Sequence, residues 1–222
     1  MGPTDQAFAD MMASSPRLPR LLARHGARTV LCAGNGLSAE ALSLACFGFD
    51  VTALDLSSVP ARHIGPKVRD PDHPVHRIHR LHISDDDVIT IGGDGRVDPA
   101  LCRMHRGDDA VPQGGGTLAL VTGDLTNPAI SPGPFHVVIE RRTVQLFPPE
   151  EQPSALDRLT ARLGTKGLIV SQEHHGGWKP GQPRIHFAEK ALRNQGFVLP
   201  GDVTDDERDA APRLAVLMFT SG

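Results

Sequence analysis

Two glycines and an aspartate carry the first chemical signal in this chain. Gly34 and Gly36 lie in the run Thr29-Val-Leu-Cys-Ala-Gly-Asn-Gly-Leu-Ser-Ala-Glu, and Asp55 ends the run Val51-Thr-Ala-Leu-Asp. A turn built from glycines lets the backbone approach a ligand more closely than any Cβ would allow. A carboxylate at the tip of the next strand can accept hydrogen bonds from both vicinal hydroxyls of a ribose. Further along, Gly123-Asp124 follows the apolar run Leu118 to Val121, and Glu140, Arg141 and Arg142 follow Phe135-His-Val-Val-Ile. Gln172-Glu-His-His-Gly-Gly-Trp178 then brings two imidazoles, which titrate near neutrality and can take up a proton. The pattern is a nucleoside anchor followed by candidate acid–base groups.

These groups need a scaffold, and the apolar pattern supplies one. Strands are expected at Thr29 to Cys32, across Val51 to Asp55, and near Leu118–Thr122, His136–Ile139 and Leu168–Ser171. Helices are expected from Leu18 to His25, Ser38 to Phe47, Ser154 to Leu163 and Phe187 to Gln195, with Gly26, Gly48 and Gly196 as stops. Phe197–Leu199 and Leu214–Phe219 form a last pair of strands around the acidic stretch Asp202–Asp209. The inner strands are apolar on both faces, as a sheet covered by helices on both sides requires. The expected fold is α/β: a seven-stranded, doubly wound, mostly parallel sheet with a C-terminal antiparallel hairpin strand. It forms one domain spanning residues 1–222.

Gly34-x-Gly36-x-x-Ala39 matches the dinucleotide-binding fingerprint, which alone is a weak signal. The later motifs decide. Gly34 and Gly36, Asp55, Gly123-Asp124, Glu140 and Leu163-Gly-Thr-Lys-Gly167-Leu-Ile-Val-Ser follow in an order that resembles the class I S-adenosylmethionine-dependent methyltransferases. The resemblance runs from about Arg17 to Phe219, apart from a long segment between strands two and three. It implies S-adenosyl-L-methionine as cofactor, held by Cys32, Ala33, Gly34, Gly36, Asp55, Leu56, Asp124, Leu125 and Glu140. Within that set it implies glycines beneath the methionine portion, Asp55 on the ribose, Asp124 on the adenine amino group, and Glu140 facing the methyl group. Cys32 and Ala33 depart from the family, which usually has an acid and a glycine there.

Methyl transfer is an in-line displacement at a sulfonium, so the protein must hold the acceptor near the methyl carbon and, where needed, remove its proton. Glu140, His174 and His175 are the candidate catalytic groups. Arg141 and Arg142 are candidates for pairing with an anionic substrate, and Trp178 for walling the pocket. Solvated loop charges, caps and ordinary packing are the competing readings of these residues.

Residues 60–116 break the pattern, because one helix usually makes this crossover. The segment holds His63, His73, His76, His79 and His82, then Asp85-Asp86-Asp87, and later Cys102 and His105. Histidines in steps of three diverge on a helix and alternate faces on a strand, so they converge only on an extended, polyproline-like path. The expectation is a basic flap acting as a lid over the substrate cleft, most of it adding little to the core, with no bound metal. A β-hairpin is expected between Val88–Ile91 and Arg96-Val97.

Composition narrows the partners. A net charge of −3 with mixed signs gives no electrostatic footprint for nucleic acid or an anionic membrane. No apolar run approaches the roughly 20 residues that span a bilayer, and neither a signal peptide nor a disulfide framework is visible. A cytoplasmic location is expected. No Asn-Pro-Pro-aromatic run or Pro-Cys dipeptide points to a nucleic-acid base as acceptor. The expected function is methyl transfer to a small-molecule substrate. A methyltransferase acting on protein or nucleic acid, and a non-catalytic S-adenosylmethionine-binding protein, stay open beside it, with a nicotinamide-dependent oxidoreductase more remote.

Overall fold

The structure is a computed structural model that describes residues 22–23, 25–38, 40–70, 72, 80–83, 88–92, 116–141, 143–172, 193–198 and 216–220. Its elements are β1 (Thr29–Ala33), α1 (Glu40–Cys46), β2 (Asp50–Asp55), α2 (Val59–Arg69), β3 (Arg80–Ile83) and β4 (Val88–Gly92). They continue with β5 (Thr117–Thr122), β6 (Phe135–Arg141), a 3-10 turn at Val144–Leu146, α3 (Gln152–Thr160), β7 (Leu163–Gln172), β8 (Arg193–Val198) and β9 (Val216–Thr220).

One sheet holds all the strands, in the order β3-β4-β5-β2-β1-β6-β7-β9-β8. The five central strands, β5, β2, β1, β6 and β7, run parallel. From β1 the chain winds outward through β2 to β5, then returns to the other side of β1 as β6. The winding direction therefore reverses between β1 and β6, the place where open α/β sheets bind ligands.

Strand alternation divides the core into two layers. Val30 and Cys32, Val51 and Ala53, Val137 and Ile139, and Leu168 and Val170 face α1 and α2, where Ala41, Leu44, Ala45, Ile64 and Val68 meet them. The intervening Leu31, Ala33, Leu54, Val138 and Ile169 pack with Ala155, Leu156 and Leu159 of α3 on the opposite face. Each fully buried Val, Leu or Ile contributes roughly 1.5–3 kcal/mol, so both layers matter to stability. Cys46 belongs to the first layer, where burial pushes its thiol up and keeps it neutral.

Caps explain where the helices start. Ser38 was expected inside the first helix, but its Oγ instead accepts the Glu40 N–H at 3.1 Å and α1 starts after it. Ser57 does the same for the Val59 N–H at 3.1 Å, with Pro60 in the first turn of α2.

Details of the structure depart from the sequence reading or extend it. The described sheet has nine strands, not seven. Two of them, β3 and β4, form a hairpin in which Val88–Gly92 pairs with Arg80–Ile83; Arg96-Val97, the partner expected for Val88–Ile91, lies outside the described residues. β4 also pairs antiparallel with β5, so this hairpin extends the sheet. Of the segment 60–116, α2 contributes Ile64 and Val68 to the core. Finally, Arg193–Gln195 lies in β8, so no helix reaches Gln195. His73, His76, His79, Asp85, Asp86, Asp87, Cys102 and His105 lie outside the described residues, as does the side chain of His82. Among the described residues no helix is long and apolar enough to cross a membrane.

Candidate functional site

The turn after β1 uses its two glycines in different ways. Gly34 has φ +66° and Gly36 φ +53°, both in the left-handed region that L side chains avoid. A Cβ on Gly34 would overlap the Thr143 side chain, so this glycine permits close packing. A Cβ on Gly36 would meet nothing within 4 Å, so this glycine faces open space. The turn is tied to β2, with Gly34 N–H donating to the Leu54 carbonyl at 2.8 Å. Asn35 Nδ2 stiffens it by donating to the carbonyls of Gly36 at 3.2 Å and Ser38 at 3.4 Å.

Asp55 closes the same turn from the tip of β2. Its Oδ2 accepts the Gly36 N–H at 2.8 Å and its Oδ1 the Ser57 N–H at 2.9 Å. A carboxylate oxygen has two acceptor directions, so one backbone donor on each oxygen leaves capacity for a diol. Leu56, the next residue, is 75% exposed, an apolar surface beside that carboxylate.

Between β1 and β6, a cleft of about 210 Å³ is lined by Cys32, Ala33, Gly34, Asn35, Ser38, Glu40 and Ile139. It sits where the winding direction reverses. Sequence reasoning found Cys32, Ala33 and Gly34 but missed Asn35, Ser38, Glu40 and Ile139. Glu40 offers the sequence an acid in the first turn of a helix, which is ordinary there.

Asp124 lies on the exposed turn after β5. Its Oδ1 accepts the Thr126 N–H at 2.7 Å and the Thr126 hydroxyl at 2.8 Å. Those two bonds, the backbone one first, hold its carboxyl below the usual range, with Arg158 and Arg162 adding smaller attractions. Leu125 turns the other way, into the layer with α3. The loop behind is organised by Arg162, which is 3% exposed. Its guanidinium donates to the carbonyls of Asn127 at 2.8 Å, Arg158 at 2.9 Å, and Ser131 and Ile130 at 3.2 Å. Burial, then the neighbouring Arg158 charge, pulls its pKa down, although a guanidinium stays charged in proteins. Nothing local in the sequence marks Arg162 for this task.

Glu140 ends up braced below the turn. It is 3% exposed; Oε2 accepts the N–H groups of Thr143 at 2.9 Å and Val144 at 3.1 Å, and Oε1 accepts the Ser171 hydroxyl at 2.7 Å. Thr143 Oγ1 in turn donates to the Ala33 carbonyl at 3.0 Å. A chain of contacts thus runs from β7 through Glu140 and Thr143 to the floor of the glycine turn. Arg141 ends β6, but its side chain lies outside the described residues, as do Arg142, His174, His175 and Trp178 altogether. Among the described residues, no group of three or more His, Cys, Asp or Glu side chains is arranged to hold a metal.

No protein-family model and no curated protein matches the sequence. Solved structures do. The magnesium protoporphyrin IX methyltransferase of Synechocystis PCC 6803, with bound S-adenosylmethionine, superposes with a TM-score of 0.57 at 13% identity, covering 98% of this chain and 79% of that one. A TehB-like S-adenosylmethionine-dependent methyltransferase of Corynebacterium glutamicum gives 0.55 at 16% identity, covering 90% and 86%. An O-methyltransferase from neocarzinostatin biosynthesis, in complex with S-adenosylmethionine and 2-hydroxy-5-methyl naphthoic acid, gives 0.56 at 10% identity, covering 98% and 56%. The chain has the Rossmann-like α/β fold of the class I S-adenosylmethionine-dependent methyltransferases.

Proposed function

We propose that the protein binds S-adenosyl-L-methionine and transfers its methyl group to a small-molecule acceptor. The observation that carries this reading is the bond from Gly36 N–H to Asp55 Oδ2, which joins a glycine with an open face to a carboxylate suited to a ribose. The residues fit the cofactor. The cleft at Cys32, Ala33 and Gly34, with Gly36 beside it, receives the methionine portion, Asp55 the ribose, and Leu56 and Asp124 the adenine end, while Leu125 is given up as a contact because it is buried in the layer with α3. The cleft's 210 Å³ falls below the roughly 300–1,000 Å³ of whole-ligand pockets, in keeping with its holding one end only. In this reading β5-β2-β1-β6-β7-β9-β8 are the seven strands of the family's sheet, and β3–β4 is an addition.

When bound, the cofactor supplies an electrophilic methyl group on a sulfonium. His174 or His175 takes the proton that the acceptor atom gives up as its bond to the methyl carbon forms. Arg141 and Arg142 pair with an anionic acceptor, and Trp178 closes the wall. Glu140 is a positioning residue here: with three donors already on its carboxylate, it acts through Thr143 on the glycine turn. The substrate is a small molecule, and the protein a single-domain, cytoplasmic one. The molecule bound together with S-adenosylmethionine in one structural neighbour, a naphthoic acid, is of that class.

The test is to incubate the protein with S-adenosylmethionine labelled in the methyl group and a cell extract separated into metabolite, protein and nucleic-acid fractions. Label in the metabolite fraction is expected. Label confined to protein or nucleic acid would contradict the acceptor class, and label in none would favour a binding protein without catalysis.

A further inference from the structure

A cofactor with a cationic α-ammonium group needs a negative partner in its cleft, and β1 does not supply one. Cys32 stands where the resemblance leads one to expect an acid. Among the described residues lining the cleft, Glu40 is the one with a carboxylate. It is 8% exposed, although a glutamate at a helix start ordinarily points into water. We propose that Glu40 supplies the carboxylate that receives the α-ammonium group of bound S-adenosylmethionine, taking over the task that an acid at position 32 would perform. This rests on the reading of the cleft given above.

Three features of the structure put Glu40 in that role. Cys32 faces the layer that contains α1, so position 32 and the start of α1 border the same space. The backbone at Glu40 is anchored, since its N–H donates to Ser38 Oγ at 3.1 Å. Ser38 is itself tied to the glycine turn through Asn35 Nδ2 at 3.4 Å. The backbone of Glu40 is therefore tied through Ser38 and Asn35 to the glycine turn, one residue of which, Gly36, is bonded to Asp55. A carboxylate placed on a helix across the cleft, and not on the strand below it, would then set the direction of the methionine end.

The comparison uses two ligands that differ only in this end. S-Adenosylhomocysteine carries the α-ammonium and carboxylate groups; 5′-methylthioadenosine has the same thioether and nucleoside without them. Isothermal titration calorimetry on the full chain should show Glu40→Gln weakening S-adenosylhomocysteine by about 10- to 100-fold, the range for a lost hydrogen bond to a charged group. Affinity for 5′-methylthioadenosine should stay within a factor of about two, which also reports an intact fold. Adding Cys32→Asp to Glu40→Gln should restore most of the lost affinity. Unchanged binding of S-adenosylhomocysteine to Glu40→Gln, or an equal loss for both ligands, would overturn the proposal. If Glu40→Gln does not fold, the parent decides: it must prefer S-adenosylhomocysteine to its analogue lacking the α-amino group by about tenfold or more, and equal affinities reject the role. Failure of the parent to bind S-adenosylhomocysteine at all would instead remove the reading of the cleft, and Glu40's part with it.

Discussion

Asp55 Oδ2 accepts the backbone N–H of Gly36 at 2.8 Å, so the acid and the glycine turn, 19 residues apart, form one unit. The bond fixes the carboxylate's orientation before any ligand arrives. In the proposed reading Asp55 thus has two tasks, anchoring the ribose and holding the turn.

Asp55→Ala should therefore lose S-adenosylhomocysteine affinity by about 1.5–3 kcal/mol and also lower the melting temperature, because the Gly36 and Ser57 N–H groups lose their acceptor. Asp124→Ala, on an exposed turn, should weaken binding less and barely alter stability. Calorimetry and thermal melts check both. Parent-like affinity in both variants would take the two carboxylates out of the site.

The two glycines should separate folding from binding. Gly36→Ala places a methyl group in open space, so its stability loss should be limited to backbone strain of about 1–2 kcal/mol, while ligand binding falls sharply. Gly34→Ala adds an overlap with Thr143 to comparable strain and should unfold at clearly lower urea. Equal denaturation midpoints for the two variants would contradict these assignments.

Glu140 should behave as a brace. Glu140→Ala leaves two backbone N–H groups and a hydroxyl without their acceptor in a buried place, and should destabilise by about 2–4 kcal/mol. Ser171→Ala should cost about 1 kcal/mol. A double-mutant cycle should return a coupling of about 0.5–3 kcal/mol, as for directly bonded neighbours. A stable Glu140→Ala protein that has lost turnover with an unchanged Km would assign Glu140 to the chemistry instead.

The Asp124 carboxyl titrates below its ordinary range because the folded state favours its charged form, chiefly through Thr126. A lowered folded pKa contributes stability above the unfolded value and loses it as pH falls through the folded one. The loss thus lies on the acid side of the ordinary carboxylate range, near pH 4 and below. Thr126→Val removes the hydroxyl donor but keeps the backbone one, so the Asp124 pKa should move part of the way back up, read by carbon-detected NMR titration. No movement would mean that the side-chain bond does not contribute.

The central part of this molecule was legible because its signals are local. Strand, glycine turn, helix and acid-tipped strand fall within residues 29–55, and each is set by its own pattern of apolar residues and glycines. The edge of the sheet was not legible in this way. Val88-Ile-Thr-Ile can pair with residues on either side, and only the assembled sheet selects Arg80–Ile83 and β5. The roles of Glu140 and Arg162 depend on partners brought in by the fold: a hydroxyl 31 residues away for one, carbonyls up to 35 residues away for the other. Glu40 was hidden for another reason. An acid in the first turn of a helix reads as ordinary helix chemistry until the cleft beside it is seen.

The most direct test of the account is calorimetry of the full chain with S-adenosylmethionine, S-adenosylhomocysteine and NAD in parallel. Both adenosyl ligands should bind one to one at micromolar affinity and raise the melting temperature as their concentration rises, with no response to NAD. Binding of NAD, with neither adenosyl ligand bound, would contradict it.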